Sequence, residues 1–429
     1  MPGEMINSDF FGAKELEDGS PKESNIKIWL INPFDSLPGE FFRPGRYATL
    51  VDILISKGFN VTWWSSNFFH ATKSYRKKLS QQSRLRIFLI PTPSYTKNVG
   101  LKRVWNHYVY ARRFESFSRR VKERPDIIVA SCPPLFSAKF SIKIAKKLGV
   151  VSVIDVQDLW PESFEMIFPS VIGRIFLWPL KKFSDSIYDS ADALISVSQT
   201  YLKRVLSVCE DKSKPSLVLH LGIDLTLFDN YYKKRSSYRF KKRENEFLVT
   251  YIGTVGKSYD IETIIRCAKS LMGSHPPIRF FIAGEGPELL KIKRIAAGNN
   301  LTNCEFTGWL NFDKVVSLLK QSDVGLNAIV YKSKTTLPNK IFDYLAAGLP
   351  IISSLRGEFE NLLKTENIGL QYIAGDRDSL KEAILYMYNH PEERKIMGEN
   401  ARKLVEERFN RRKTYLEIAK FLKDLVKLG

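Results

Sequence analysis

Residues 247–256 read FLVTYIGTVG, a short apolar, β-branched run closed by a turn that begins and ends in glycine. Such a run is too short for a helix, and the glycines mark where a strand leaves a sheet. From there the pattern recurs in IRFFIAGEGP (278–287), CEFTGWL (304–310), SDVGLNAI (322–329) and LPIISS (349–354), with helical periodicity between them. The first half of the chain has the same rhythm. IKIWLINP (26–33) is followed by the amphipathic YATLVDILISKGFN (47–60), then by VTWW (61–64), PDIIVAS (125–131), VVSVIDV (150–156) and ADALISVS (191–198). Strands alternating with helices imply a parallel sheet covered on both faces. The expected fold class is therefore α/β: two doubly wound, Rossmann-like domains facing a cleft. The expected divisions are an extension at 1–25 (polar, acidic and disordered), a first domain at 26–225, a basic linker at 226–246, a second domain at 247–405, and a helix at 406–429 that crosses back to the first domain.

Composition narrows the function. Of 429 residues, 44% are hydrophobic and 26% charged, which suits two globular domains. No apolar run is long enough to span a bilayer, and the N-terminal stretch has no apolar segment of signal-peptide type, so a cytoplasmic protein is expected. The four cysteines, Cys132, Cys209, Cys267 and Cys304, lie far apart and form neither a zinc pattern nor a disulfide framework; Cys132 reads as a small packed residue. The net charge of +20 points to anionic partners. A nucleic-acid-binding protein would carry such charge too, but no nucleic-acid module is recognisable, and nucleic acid is not expected as a partner. The basic first half and VIGRIFLWPLKK (171–182) predict instead attachment to an anionic membrane surface at the inner face of the plasma membrane.

The candidate chemistry centres on TTLPNKIFDYLAAGLP (335–350). Pro338 suits the start of a helix, Gly348 its exit, and Pro350 forbids its continuation, which puts Lys340 in the first turn. There the helix dipole disfavours a cation. A diphosphate in the gap would reverse the sign, because dipole, free amides and ammonium then act on one charge. Asp343 follows one turn deeper and is able to accept hydrogen bonds from vicinal ribose hydroxyls. The bland alternative is an i,i+3 ion pair between the two, worth a few tenths of a kcal/mol. The glycine turns at 253–256, 284–287 and 307–310 lie at the same ends of successive strands. In the first domain, Arg43 and Arg46 could hold an acceptor phosphate, and His70 lies in a similar loop. Asp158, in QDLWP (157–161), is the acid or base candidate; a helix-capping aspartate would look the same. GDRDSL (375–380) reads as a helix N-cap rather than a metal site, and neither metal nor cofactor is expected.

As an ordered set, RPGRYATLVDILISKGFNVTWWSSNFFH (43–70), DVQDLWPES (155–163), ADALISVSQTYLKRV (191–205), LHLGIDLTLF (219–228), IAGEGP, FTGWL and LPNKIFDYLAAGLP resemble one family. It is that of the retaining GT-B glycosyltransferases of family 4, near the fucosamine-transferase-like subgroup of O-antigen and capsule assembly. The resemblance implies a metal-independent transferase that moves a sugar from a nucleotide-sugar, UDP by family frequency, to a glycan or lipid-linked acceptor. It implies that Gly253, Thr254, Gly256 and Lys257 lie beneath the diphosphate. Gly284, Glu285 and Gly286, with Trp309 and Leu310, would surround the base; Pro338, Asn339 and Lys340 would form the helix start, and Asp343 would meet the ribose. Two departures stand out. Thr335 replaces the acid common near the donor sugar, and Thr254 and Tyr259 occupy the places of the usual diphosphate-binding Arg and Lys, so their charge falls to Lys340 and Lys257. A nucleotide-sugar epimerase of the same fold is the alternative.

Overall fold

The computed structural model of the chain describes residues 25–38, 40, 45–76, 83–165, 171–233, 242–243, 245–273 and 277–428; the N-terminal extension and Arg43 lie outside them. The first domain contains β1 (Lys27–Ile31), β2 (Asn60–Ser66), β3 (Phe68–Phe69), β4 (Ser74–Tyr75), β5 (Leu85–Ile90), β6 (Ile127–Cys132), β7 (Val151–Val156), β8 (Ala193–Ser196) and β9 (Ser216–Val218). The second contains β10 (Phe247–Ile252), β11 (Ile278–Ala283), β12 (Cys304–Gly308), β13 (Val324–Asn327), β14 (Ile351–Ser353) and β15 (Gly369–Gln371). The large sheets are parallel and run in the orders β5-β2-β1-β6-β7-β8-β9 and β12-β11-β10-β13-β14-β15, while β3 and β4 form a small antiparallel pair. In each sheet the order reverses beside the first strand, and the crevice beyond the carboxyl ends of the strands at that reversal is where such folds bind ligands.

The strands read as continuous apolar runs because both sheet faces are buried. In β1, Trp29 and Ile31 enter one core with Trp64 and Phe114, while Ile28 and Leu30 enter another with Tyr47 and Leu50. β10 divides similarly, with Phe247, Val249 and Tyr251 on one side and Leu248 and Ile252 on the other. Strands β5, β9 and β15, absent from the sequence reading, all lie at sheet edges. β9 (SLV) and β15 (GLQ) are only three residues long, too short for a period to show, whereas β5 (LRIFLI) carries an apolar run as clear as those of the strands that were recognised. The assumed linker also differs from the structure. Leu225–Lys233 is a helix whose Leu225 and Phe228 are buried in the core of the second domain. Its small apolar face, interrupted by polar residues, concealed the helical period.

The C-terminal segment returns to the first domain. After the helix Pro391–Arg408 the chain crosses over, and the helix Leu416–Leu428 with Tyr415 fills one face of the first sheet through Ile418, Ala419, Leu422 and Leu425. The crossing is fastened to the outgoing connection: Ile223 N–H donates to Phe409 O (2.9 Å), and Arg411 N–H donates to Ile223 O (2.9 Å). Gly222 at φ +56° is required there, since a Cβ would lie 2.6 Å from Phe409 O.

Arg46 corrects the sequence reading. Its guanidinium is 3% exposed and forms a bidentate pair with Asp155 (Nε and Nη2 both 2.9 Å from carboxylate oxygens). Nη1 donates to Leu219 O (2.8 Å) and to Tyr415 Oη (3.1 Å). With four N–H bonds spent inside the fold, Arg46 joins the first domain to the returning chain and does not hold an acceptor phosphate. Removing one partner of a buried pair strands the other, so Arg46→Ala should lower stability by about 3–5 kcal/mol in urea unfolding. The pair Arg46→Met with Asp155→Leu should lose less. Equal midpoints for Arg46→Ala and the wild type would refute the role.

Candidate active site

The second domain's part of the site is built at its sheet reversal. The turn after β10 carries Gly253 and Thr254, both exposed. The helix Asn339–Ala346, with Pro338 at its N-cap, follows β13, and its start matches the sequence expectation. Its first amides have no intrahelical acceptor. Lys340 is the second residue of this helix and is 7% exposed. It makes no ion pair with Asp343, and its Nζ is buried without a hydrogen-bond partner. The ammonium is instead sheathed by two rings, 3.9 Å from the Tyr251 centroid and 4.2 Å from that of Tyr259. Burial holds its pKa well below the ordinary lysine value. Tyr259 stands where the resemblance expects a cation; here the aromatic face at that position receives the cation of Lys340.

Gly253 (φ +124°) lets the lysine end lie against the exposed turn, since a Cβ there would be 3.2 Å from both Cε and Nζ. Gly284 and Gly286 answer a different need. A Cβ on Gly284 would lie 1.8 Å from Gly253 O, and one on Gly286 would lie 2.3 Å from Val255 O, so the second turn packs backbone to backbone under the first. Gly256 is buried, whereas Lys257, Glu285 and Trp309 are exposed and Leu310 is half-buried. Asp343 is buried at 3% exposure, one helical turn inside Lys340. Thr335 is half-buried in the loop before the helix.

The first domain presents Asp158, after β7. Its oxygens accept from Trp160 Nε1 (3.0 Å) and Ser163 Oγ (2.5 Å), and burial raises its pKa. After burial, Asp158 is the charge that raises the phenol pKa of both Tyr201 and Tyr259, which links the two walls of the cleft. Tyr201, 5% exposed, also donates to Lys334 O (3.4 Å) in the loop leading to Lys340. Sequence reading missed Tyr201, which lies inside a recognised segment but carries no local signal of its partner. His70 lies in a cluster with Tyr95 and Lys73. Asp376 caps the helix Arg377–Asn389 by accepting from the Asp378 and Ser379 amides, as GDRDSL suggested. Among the described residues no group of three or more His, Cys, Asp or Glu is placed to hold a metal ion. Cys132 is fully buried, and burial pushes its thiol up to about 12.

Two Rossmann-like domains meeting at a cleft, with the C-terminal helix crossing back, constitute the GT-B fold. The fold is shared with sucrose-phosphate synthase from Thermosynechococcus elongatus (TM-score 0.74, 16% identity, 94% of this chain and 100% of that one). It is also shared with Anabaena HepE in complex with UDP (TM-score 0.64, 16% identity, 93% and 100%). Residues 233–404, most of the second domain, match the family Glycosyl transferases group 1. An uncharacterized glycosyltransferase of Methanocaldococcus jannaschii is 26% identical over 245 residues, 56% of this chain and 60% of that protein's length.

The buried ammonium has a measurable consequence. The folded pKa of Lys340 lies below the unfolded value of 10.5, so between the two the unfolded chain binds more protons and stability rises with pH. Lys340→Met should remove that contribution to the slope and raise stability near neutral pH by about 1–3 kcal/mol. Unfolding midpoints at neutral and alkaline pH measure both effects, and a less stable Lys340→Met protein at neutral pH would contradict them.

Proposed function

We propose that the protein is a metal-independent, retaining glycosyltransferase. It moves a sugar from a nucleotide-sugar, UDP-linked, to a glycan or lipid-linked acceptor in cell-surface polysaccharide biosynthesis. The observation that carries this reading is the Lys340 ammonium, buried without a hydrogen-bond partner at a helix start in the sheet-reversal crevice. A protein that keeps such a group at a cost to stability has a use for its charge. The departing diphosphate is that use: Lys340 swings past Gly253 onto it, and the free helix amides stabilise the same charge. Asp343 takes the ribose hydroxyls once the nucleotide inserts beside the helix. The acceptor hydroxyl attacks from the face that the diphosphate leaves, its oxygen bonding the anomeric carbon as the bond to the diphosphate breaks and its proton passing to the departing diphosphate oxygen, with Asp158 at the wall of the first domain. The nucleotide-sugar is a substrate and no cofactor is invoked. The Anabaena neighbour's complex with UDP supports the choice of donor. An epimerase would convert its nucleotide-sugar alone, whereas a transferase should show only slow hydrolysis of its donor, also in EDTA.

Ligand binding separates the roles of the two residues. Lys340→Ala should weaken nucleoside diphosphate binding by about 1.5–3 kcal/mol and leave the bare nucleoside almost unchanged. Asp343→Asn should weaken both ligands and reduce the disadvantage of a 2′-deoxy ligand. Calorimetry decides, and equal weakening of nucleoside and diphosphate by Lys340→Ala would exclude the phosphate role.

Membrane attachment belongs to the same reading. No helix among the described residues is long and apolar enough to cross a bilayer. Helix Val171–Ser190 nevertheless exposes Ile175, Phe176 and Trp178 at 66%, 79% and 60%. Lys182 lies over the Trp178 ring (5.7 Å), a basic and aromatic pairing suited to an anionic lipid interface. Binding to acidic vesicles should weaken steeply with salt, with each basic residue near the surface worth about 1 kcal/mol. Phe176→Ser with Trp178→Ser should reduce it further. Equal binding to neutral and acidic vesicles would count against the attachment.

A further inference from the structure

A cluster of basic side chains in the first domain is not accounted for by donor binding. Lys73 Nζ donates to His70 Nδ1 (3.0 Å) and to Asn98 Oδ1 (2.7 Å). An ammonium only donates, so Nδ1 of His70 accepts and Nε2 carries the ring proton. Tyr95 Oη lies 2.6 Å from the same Nδ1. The Arg103 guanidinium lies over the rings of Phe34 (5.5 Å) and Trp160 (5.0 Å). Its Nη1 donates to Asn98 O (2.6 Å), while its Nε is buried without a partner. His107 follows one turn along the same helix, 4% exposed, with Nε2 also buried and unpartnered.

The groups acting on His70, Lys73 and His107 are all basic, with Arg103 common to the three. Burial first, then Arg103 and Lys73, pushes His70 down to about 3. Burial, then Arg103 and His70, does the same to His107, and burial with Arg103 brings Lys73 to about 8. Asp158 is the carboxylate that acts on Arg103, and both its oxygens are held by Trp160 and Ser163. Among the described residues, a guanidinium and an ammonium lie with two uncharged imidazoles, and an inward N–H of Arg103 and a ring nitrogen of His107 are left open; such a set suits an anion.

The position of this cluster indicates where the anion comes from. Phe34, His70, Tyr95 and Trp160 follow β1, β2, β5 and β7, so the cluster lies at the carboxyl ends of the first sheet, and Asp158 connects it to Tyr259 beside Lys340. Arg103 and His107 lie on helix Leu101–Ser118, which also exposes Leu101, Val104, Trp105 and Tyr108 at i, i+3, i+4 and i+7. Tyr108 meets Phe136, and Phe136 meets Phe183 of helix Val171–Ser190, whose exposed aromatic residues are described above. One helix thus presents an apolar stripe outward and a guanidinium with an uncharged imidazole inward.

We propose that Lys73, His70, Arg103 and His107 form an acceptor subsite for a phosphate ester, the phosphate or diphosphate that joins an acceptor sugar to its lipid, with Phe34 and Trp160 as apolar walls for the sugar. This rests on the glycosyltransferase reading for the word acceptor, but the phosphate pocket stands on its own residues.

The test uses the full chain, with imidazole NMR signals as readout and Lys340→Ala as background so that a donor-site phosphate does not interfere. Glucose 1-phosphate and inorganic pyrophosphate should each shift the His70 and His107 signals and raise their pKa values. Arg103→Gln or Lys73→Met should weaken that binding about ten- to a hundredfold, while Arg103→Lys restores part of it. Nucleoside diphosphate binding to either variant in the Lys340-containing protein should be unchanged. Histidine signals that stay still at saturating pyrophosphate would overturn the pocket, as would a shift produced by phosphatidylglycerol vesicles alone. Failure of the donor reading appears elsewhere, as unchanged nucleoside diphosphate binding in Lys340→Ala.

Discussion

The architecture depends on the chain crossing between its domains twice at one place. The outgoing connection at 219–224 and the returning segment at 409–412 bond to each other through Ile223, Phe409 and Arg411. Three arginines then close the junction. Arg46 bonds Asp155, Leu219 O and Tyr415; Arg411 bonds Leu221 O and Gly222 O; Arg412 bonds Asp224. Because the C-terminal helix fills one face of the first sheet, the first domain is completed only by the end of the chain. The constraint sets how the carboxyl ends of both sheets oppose each other, and the cleft is its geometric result.

Across the cleft the contacts are fewer and more polar than those at the crossing. Glu358, at the start of a second-domain helix, accepts from the Gln199 and Thr200 amides (3.2 and 3.0 Å) and from Thr200 Oγ1 (2.7 Å). A carboxylate thus caps the first-domain helix Gln199–Leu206, alongside Ser198, which bonds the Tyr201 amide. These bonds are partly exposed and individually weak, of the kind that rearranges when domains open and close. The buried arginine network at the crossing has no such freedom. Motion is therefore expected about the crossing, with the walls carrying Lys340 and Asp158 moving relative to one another.

Lys340 shows how the site conflicts with stability. Desolvation, the helix dipole and the lack of a carboxylate partner all oppose its charge, while two tyrosine rings provide the one attraction that the fold offers. The arginine at position 46 is buried as deeply but fully satisfied. Placed side by side, the two show that burial alone does not distinguish a satisfied cation from one whose hydrogen-bonding capacity is left open.

Much of this was legible in the sequence. Apolar runs bounded by glycine turns defined both parallel sheets, and Pro338 with Gly348 placed the helix of Lys340, because strand, turn and helix-end preferences are local properties of neighbouring residues. The three-residue edge strands β9 and β15 and the helix Leu225–Lys233 were not, since short or half-covered elements need fewer apolar residues; β5, an apolar LRIFLI, was overlooked without such a reason. The roles of single polar residues depended on tertiary structure alone. Arg46 meets Asp155 at a separation of 109 residues and Tyr415 at 369, and nothing in RPGRY distinguishes such an arginine from one that faces a ligand. Likewise nothing local marks Arg103 and His107, and only the strand ends bring His70, Phe34 and Trp160 around them. The sequence by itself determined which elements form, because that is settled between near neighbours; which charges are paired and which are left open is settled by distant ones, and only the packed chain brings those together.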